Sequence, residues 1–503
     1  MPQMTSINND VLSTGKGQIR PPYSPCNDGQ GELTIVHYRG PNMKNPRSEL
    51  KHDENGALQG SFRTFGASER IRSNLDAGSR STTAITRVFG ACKRCQKQKS
   101  RCNMSRDEYT PCETCSKTPP EVLKAPCIRV SILDLNLHRR GSTLNNDLET
   151  WTSTQESLLI NVALYNNEVP ETRIVSITQD QGIDIPVTVR RFIPLPESTT
   201  GWKWRDGACD ERVLDMPCFY ISDEEEAAGN MIKAAVSNKW QYITCLLDAA
   251  NPIIKKTFEA AFRYLETSNS LLVQNCLTFW TATRFIEKPW RICSDGGLPG
   301  FEPSYEVDCP FSGIVPVTPI MDTQIDDLAI KRLLMPLGEL ILKELDRKIH
   351  ERKRENWFDI YLSTFIIMNN FEFVFSDVID YTSRHGLKPS TTGASSLSKR
   401  YFHACKTILA YFRFACNGHA PLSLSWNNMS ASVDGLTFDQ EGYIRDIKME
   451  IDRQAESLST WRKGSVYRTP LYLCYQVLAE NWSPDVSNSE PLDNFTEEDF
   501  LAS

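Results

Sequence analysis

From Glu224 onward, apolar residues recur at steps of three and four while Gly and Pro mark the breaks, which predicts a succession of amphipathic helices. The windows with this period are Glu224–Leu247, Asn251–Asn269, Ser270–Ile286, Thr323–His350, Asn356–Arg384, Ser396–Cys416, Asp439–Trp461 and Leu471–Glu480. Their Leu, Ile, Phe and Trp residues suffice for one helical core, so residues 224–482 read as a mainly α-helical domain. The stretch before it lacks that period. Residues 141–223 read as a linker, in which the β-branched segments Thr172–Thr178 and Ile183–Ile193, the prolines and Trp202 and Trp204 define no architecture. Within it Leu144, Leu148, Trp151, Leu158, Val162 and Tyr165 follow a heptad-like spacing, expected to be a short helix that pairs with a second copy or packs onto the body. Residues 1–90 are rich in Ser, Asn, Gly, Arg and Pro without periodicity and are expected to be a disordered N-terminal arm.

Charge divides the chain further. The formal net charge of −7 conceals a segment, residues 91–140, with 11 Lys/Arg against 5 Asp/Glu, and an acidic remainder after it. A basic region of this kind points to an anionic partner for one end of the molecule. Residues 483–503 hold six acidic and no basic residues around Leu492, Phe495, Phe500 and Leu501. Such an acidic tail has the composition of activation segments, although a solvated terminus is its plainer account. The opening residues lack the charged-then-apolar order of a secretory leader, and no apolar run reaches the roughly 18 to 20 residues of a membrane helix, so no membrane partner is expected. Cysteines in such a chain are expected to be thiols or metal ligands, not disulfides.

Of the 16 cysteines, six cluster as Cys92, Cys95, Cys102, Cys112, Cys115 and Cys127, with the spacing C-x2-C-x6-C-x9-C-x2-C-x11-C. Each C-x2-C pair sets two sulfurs on one tight turn, and Zn2+ takes four thiolates in a tetrahedron at about 2.3 Å. Six sulfurs satisfy two Zn2+ ions per chain when two of the thiolates bridge. The surplus negative charge would be offset by neighbouring Lys and Arg. A single-zinc site on Cys92, Cys95, Cys112 and Cys115 is the competing reading of the same spacing.

These residues resemble the DNA-binding domain of the fungal binuclear zinc-cluster (Zn(2)-C6) transcription factors. The resemblance covers residues 92–127 and implies that Cys92 and Cys112 bridge the two ions while the other four cysteines are terminal ligands. It further implies that Lys97, Lys99 and Arg101, flanked by Lys93 and Arg94, face double-stranded DNA, with Lys99 reading the base edges of a CGG-like triplet. Pro111 matches the loop proline before the fourth cysteine. The chain departs from the family in its long last spacer, which carries Pro119 and Pro120, and in Gln98, where a second basic residue is frequent.

The expected fold class is therefore a small zinc binuclear cluster at 91–140 plus the helical domain, between a disordered arm and the acidic tail. The expected function is a nuclear, sequence-specific DNA-binding regulator of RNA polymerase II genes, with co-regulators or transcription machinery meeting the helical body and the tail. A homodimer is a further expected partner. The contrasting class is an interaction scaffold whose zinc module is structural only. No phosphate loop, dinucleotide fingerprint, nucleophile elbow or paired-histidine zinc motif occurs, so an enzyme is not expected. Of the set His403, Cys405, Cys416 and His419, the first three lie along one predicted helix with Cys405 and Cys416 three turns apart, too extended to share a metal, and the basic run Lys343–Arg354 reads as a solvated helix face. The candidate import signal is Lys93–Arg101 together with His138, Arg139 and Arg140.

Overall fold

The computed structural model describes residues 76–103, 111–118, 127–139, 172–194, 200–205, 210–293, 297–306, 309–384, 394–416, 437–458 and 471–478. The heptad-like segment Leu144–Tyr165, the acidic tail 483–503 and most of the N-terminal arm lie outside these residues.

Three short helices come first, α1 (Ala77–Phe89), α2 (Lys93–Gln98) and α3 (Glu113–Ser116), so a helix occupies the end of the arm expected to be disordered. Strands β1 (Thr172–Asp180), β2 (Ile183–Arg191), β3 (Gly201–Arg205), β4 (Glu211–Asp215) and β5 (Phe219–Ile221) follow. Helices α4 (Glu224–Ser237), α5 (Lys239–Leu246), α6 (Pro252–Thr267) and α7 (Leu271–Phe285) lead to the two-residue strands β6 (Arg291–Ile292) and β7 (Val315–Pro316). The remainder is α8 (Pro319–Leu328), α9 (Met335–Glu351), α10 (Trp357–Arg384), α11 (Ala394–Ala415), α12 (Phe438–Arg453) and α13 (Cys474–Leu478).

The helical half agrees with the periodicity, with two refinements. The first predicted helix breaks at Asn238, which ends α4 and begins α5, and a π-helical turn, Ala329–Leu334, joins α8 to α9. Side-chain caps fix the starts: Asp223, Ser270 and Thr318 accept from the backbone N–H three residues on, and Thr437 with Gln440 forms a reciprocal capping box. Leu333, Ile341, Leu345 and Ile349 are buried on one side of the segment that carries the basic run. On the other side Lys343, Arg347 and Lys353 pair with Glu339, Glu344, Glu351 and Glu355, which leaves a solvated, ion-paired face. Among the described residues no helix is long and apolar enough to cross a membrane.

The body is mainly helical as expected, and a sheet is added to it from the stretch read as a linker. Strands β5-β2-β1-β6-β7 form one antiparallel sheet, and β3-β4 a separate ribbon. In the β1–β2 hairpin Val175 faces Val187 and Ile177 faces Ile185. Ile183, Ile185, Val187 and Val189 are buried while the residues between them are more exposed, so one sheet face joins the same apolar core as the helices. The folded body thus reaches back to Thr172. Strands β5, β6 and β7 are too short to show a period, and their partners are distant in sequence, so only tertiary pairing defines them.

At the centre, α10 packs against α7 and α11. Trp280 Nε1 donates to Asn369 Oδ1 at 3.0 Å, and the fully buried Arg284 donates to Asn370 Oδ1 at 3.1 Å. The Arg284 guanidinium also pairs with Glu287 at 2.6 Å and lies 4.9 Å from the ring centres of both Trp280 and Phe373. A buried cation is tolerable there because a carboxylate, an amide and two aromatic faces replace its water.

A strap, residues 128–139, runs from the cysteine segment into this body. Ile128, Ile132, Leu135 and Leu137 are all buried in the body's core. Tyr411 donates its hydroxyl to the Val130 carbonyl at 2.9 Å, and His138 packs beside Phe279. At the far end, Arg139 donates to the Ile286 carbonyl and to Asp326 Oδ2, both at 2.6 Å, with both charged side chains nearly out of water. Arg139 is therefore a structural cation and not part of an exposed import signal.

Removing one member of a buried ion pair leaves the other uncompensated. Arg139→Ala is expected to lower stability by about 3–5 kcal/mol in chemical denaturation, and Arg139→Met with Asp326→Leu to recover most of that loss. Burial also pushes the nearby Asp322 carboxyl up to about 6, with Arg139 opposing. The fold favours its protonated form, so this contribution is complete below the ordinary value of 3.8 and is lost as pH rises through about 6. A fall in melting temperature between about pH 4 and pH 7 is therefore expected for the parent chain, and Asp322→Asn should make it shallower.

Candidate metal centre

The two C-x2-C turns are built alike. Cys92 precedes α2 with φ −62° and ψ 150°, and Cys112 precedes α3 with φ −62° and ψ 153°. In that conformation the capping residue and the cysteine three positions on bring their sulfurs to one side of a helical turn. The Cys92 sulfur itself caps α2 by accepting from the Cys95 N–H at 3.4 Å. Lys99 closes α2 in the left-handed region at φ 50°, which turns the chain toward Cys102. The halves are tied by Glu113 N–H donating to Asn103 O at 2.8 Å and Thr114 Oγ1 donating to Arg101 O at 2.8 Å.

All six cysteines are buried, and their sulfurs fall into two tetrads, Cys92, Cys95, Cys102, Cys112 and Cys92, Cys112, Cys115, Cys127. Within each tetrad the sulfurs lie within 4.8 Å of one another, and Cys92 and Cys112 belong to both. The sulfurs of Cys92 and Cys115 are 3.7 Å apart, and those of Cys95 and Cys112 are 3.6 Å apart. A tetrahedron with metal–sulfur bonds of about 2.3 Å has an edge of about 3.8 Å, so this donor set suits a metal ion that prefers thiolates. The distances are too long for disulfides, and all six thiols are free.

The electrostatics point the same way. Hydrogen bonding to Cys115 and Cys127, with burial, pushes the Cys92 thiol far up, and burial pushes Cys95 up to about 12. Cys127 is instead held down at about 4 by hydrogen bonds from Cys115 and Cys92. The opposed directions have one cause: sulfurs this crowded cannot all carry charge without compensating cations. Backbone donors supply part of the compensation, Cys92 N–H to Cys102 Sγ and Cys112 N–H to Cys127 Sγ, each at 3.4 Å. Arg94 supplies a full charge, with Nη1 at 3.5 Å from Cys115 Sγ.

The basic residues of the segment thus separate by role. Arg94 is buried and turned toward sulfur, Lys93 is half-buried, and Lys99 and Arg101 are exposed. The side chain of Lys97 lies outside the described ones. Sequence reasoning missed α1, which covers one side of the cluster. Ile85 packs on the cysteines, and Thr86 Oγ1 donates to the Cys102 carbonyl at 3.1 Å. Its apolar residues are few, although they fall on one helical face, and the Ser-, Thr- and Arg-rich composition around them reads as disorder. The strap was missed for a different reason: Ile128, Ile132, Leu135 and Leu137 are visible in the sequence, but the segment has little regular structure and only tertiary packing buries them.

The other cysteine and histidine set is not assembled. Cys405 is buried and Cys416 half-buried on the body, burial raises both thiols, and His419 lies outside the described residues. Among the described residues the only groups of potential ligands within reach of a common ion are the two sulfur tetrads.

Residues 136–476 match the family model described as KpeA transcription factor, which is about two thirds of the chain and begins at the end of the strap. No curated protein and no solved structure matches.

Proposed function

Since the chain belongs to the KpeA transcription factor family, we propose that it is a nuclear, sequence-specific DNA-binding regulator of RNA polymerase II transcription. In this reading its DNA-reading module is a Zn(2)-C6 cluster. Cys92 and Cys112 bridge two Zn2+ ions, Cys95 and Cys102 complete one site, and Cys115 and Cys127 complete the other. The observation that carries this reading is the pair of sulfur tetrads sharing those two cysteines beneath a short basic helix. A single-zinc site would need no shared sulfur and no place for Cys102 and Cys127.

When bound, the ions would act structurally, by fixing the fold of a segment with almost no apolar core of its own. Six thiolates against two divalent cations leave a net charge of about −2, which Arg94 and the backbone donors offset in part. The chain's own residues then do the recognition. In this reading Lys99, exposed at the left-handed end of α2, contacts guanine O6 and N7, and the exposed Arg101 contacts phosphate. One module of this size reads few base pairs, so a homodimer on two half-sites is part of the proposal. The acidic body, repelled by phosphate, is the surface for co-regulators. No catalytic role is included.

Metal analysis of the purified chain should return two zinc ions, and Cys102→Ser with Cys127→Ser should lower that content. A value of one per chain, or no loss in the double variant, would contradict the shared-thiolate arrangement. For base reading, Lys99→Ala should weaken binding to the preferred GC-rich site by about 1–3 kcal/mol in a fluorescence anisotropy titration at physiological salt. Unchanged affinity, or binding by the parent chain that is blind to sequence, would favour a scaffold instead.

A further inference from the structure

Lys99 ends α2 in the left-handed region at φ 50°. For a residue other than glycine that conformation costs free energy, and it persists only where its surroundings over-determine it. The surroundings are a set of hydrogen bonds to the residues that follow. Ser100 N–H donates to the Cys95 carbonyl at 3.0 Å, Thr114 Oγ1 donates to the Arg101 carbonyl at 2.8 Å, and Thr86 Oγ1 donates to the Cys102 carbonyl at 3.1 Å. The first two bonds lie within the cysteine segment. The third comes from α1, which the cysteine spacing does not include.

Helix α1 holds the loop at a second point. Near its start, Ser79 accepts from the Arg101 guanidinium, at Oγ from Nη1 over 3.3 Å and at its carbonyl from Nη2 over 3.4 Å. The Asp76 carboxylate, which caps α1 by accepting from Ser79 N–H at 3.2 Å, adds opposite charge within electrostatic reach of Arg101. About two turns further on, Thr86 reaches Cys102 and Ile85 packs on the sulfurs. The chain returns from α1 to the cluster at Gly90, whose φ of 74° and ψ of 159° are a combination open essentially to glycine, although a side chain there would meet nothing within 4 Å. Arg101 is thus held in place on one side, while its exposed side chain keeps further N–H groups for a partner.

We infer that α1 is a positioning element for the DNA-reading loop, in which Ser79 and Thr86 set where Lys99 and Arg101 stand before DNA is bound. This role depends on the proposed DNA-binding function for its consequence and on the contacts alone for its geometry. A loop already held in its bound shape has less freedom to lose on binding. The effect is greatest where hydrogen bonds must match base edges, and small for contacts to phosphate, which carry no sequence information.

Ser79→Ala with Thr86→Val removes the two hydroxyls from the full chain and leaves its charges untouched. In amide hydrogen exchange read by mass spectrometry, peptides covering Lys99–Cys102 should exchange about tenfold faster in this variant, with zinc content and the body's peptides as in the parent. In fluorescence anisotropy its affinity for the preferred duplex should fall about tenfold, while affinity for a scrambled duplex and the slope of log affinity against log salt stay the same. Thr86→Ser alone, which keeps a hydroxyl, should behave as the parent, and Gly90→Ala should act like the double variant through backbone strain. Unchanged exchange in the loop overturns the positioning role whatever the DNA results. So does zinc loss with equal weakening on both duplexes, which makes α1 a clamp for metal, and so does tighter binding, which makes it a cover over the loop. A parent chain with no sequence preference overturns the DNA-binding reading, and the exchange result still decides the positioning role.

Discussion

The structure depends on a continuity of chain between two kinds of core. Cys127 ends a core made of sulfur, and the next residue, Ile128, is already buried in a core made of hydrocarbon. Lys93 N–H donates to the Ile128 carbonyl at 2.8 Å, which ties α2 to the start of the strap. From there three further apolar anchors and the Arg139–Asp326 pair leave the strap little freedom. Whatever orders the sulfur core is mechanically joined to the body, and the ordering entropy of one is shared with the other.

The sulfur core itself is a problem of charge. An apolar core is stable because its side chains leave water, whereas crowded thiols gain nothing until their protons are replaced by cations. The local structure anticipates that: two superimposable helix starts set the sulfurs at tetrahedral spacing, and backbone N–H groups and Arg94 face them. Arg94 illustrates how the basic residues of one segment are divided by where they face. Turned inward, it faces sulfur at 3.5 Å, whereas Lys99 and Arg101 stay on the exposed edge, where Arg101 donates to Ser79.

The body solves the opposite problem, holding charged and polar groups inside hydrocarbon. Arg284 lies between two aromatic rings and pairs with Glu287, and the Tyr361, Tyr443 and Thr257 hydroxyls form a buried chain with steps of 2.7 and 2.9 Å. Such networks link α6, α7, α10 and α12, elements that are remote in sequence, and make the packing specific. The family match begins at the end of the strap and covers this body, so the family relationship resides in the body, while the cysteine cluster lies in the segment before it.

Much of this was legible along the chain. Six clustered cysteines, four of them in two C-x2-C turns, mark a candidate metal-ligand set without any fold, because three-residue spacing brings the paired sulfurs together. The helices of the body were legible as well, because a period of 3.6 is a local property that survives without knowledge of partners. The sheet was not. β1 and β2 carry the alternation of a strand, but only pairing with β5 and β6 makes them one sheet, and the shorter strands have no period to read. Nor could the sequence reveal that Arg94 turns toward Cys115, that Arg139 is buried on Asp326 or that α1 docks on the Lys99–Cys102 loop. An arginine's role depends on which surface its long side chain meets, and that surface is assembled from residues far away in the chain. Sequence alone determined the chemistry available and the local periods; tertiary structure decided which charges stay outside to meet a partner and which are spent holding the fold together.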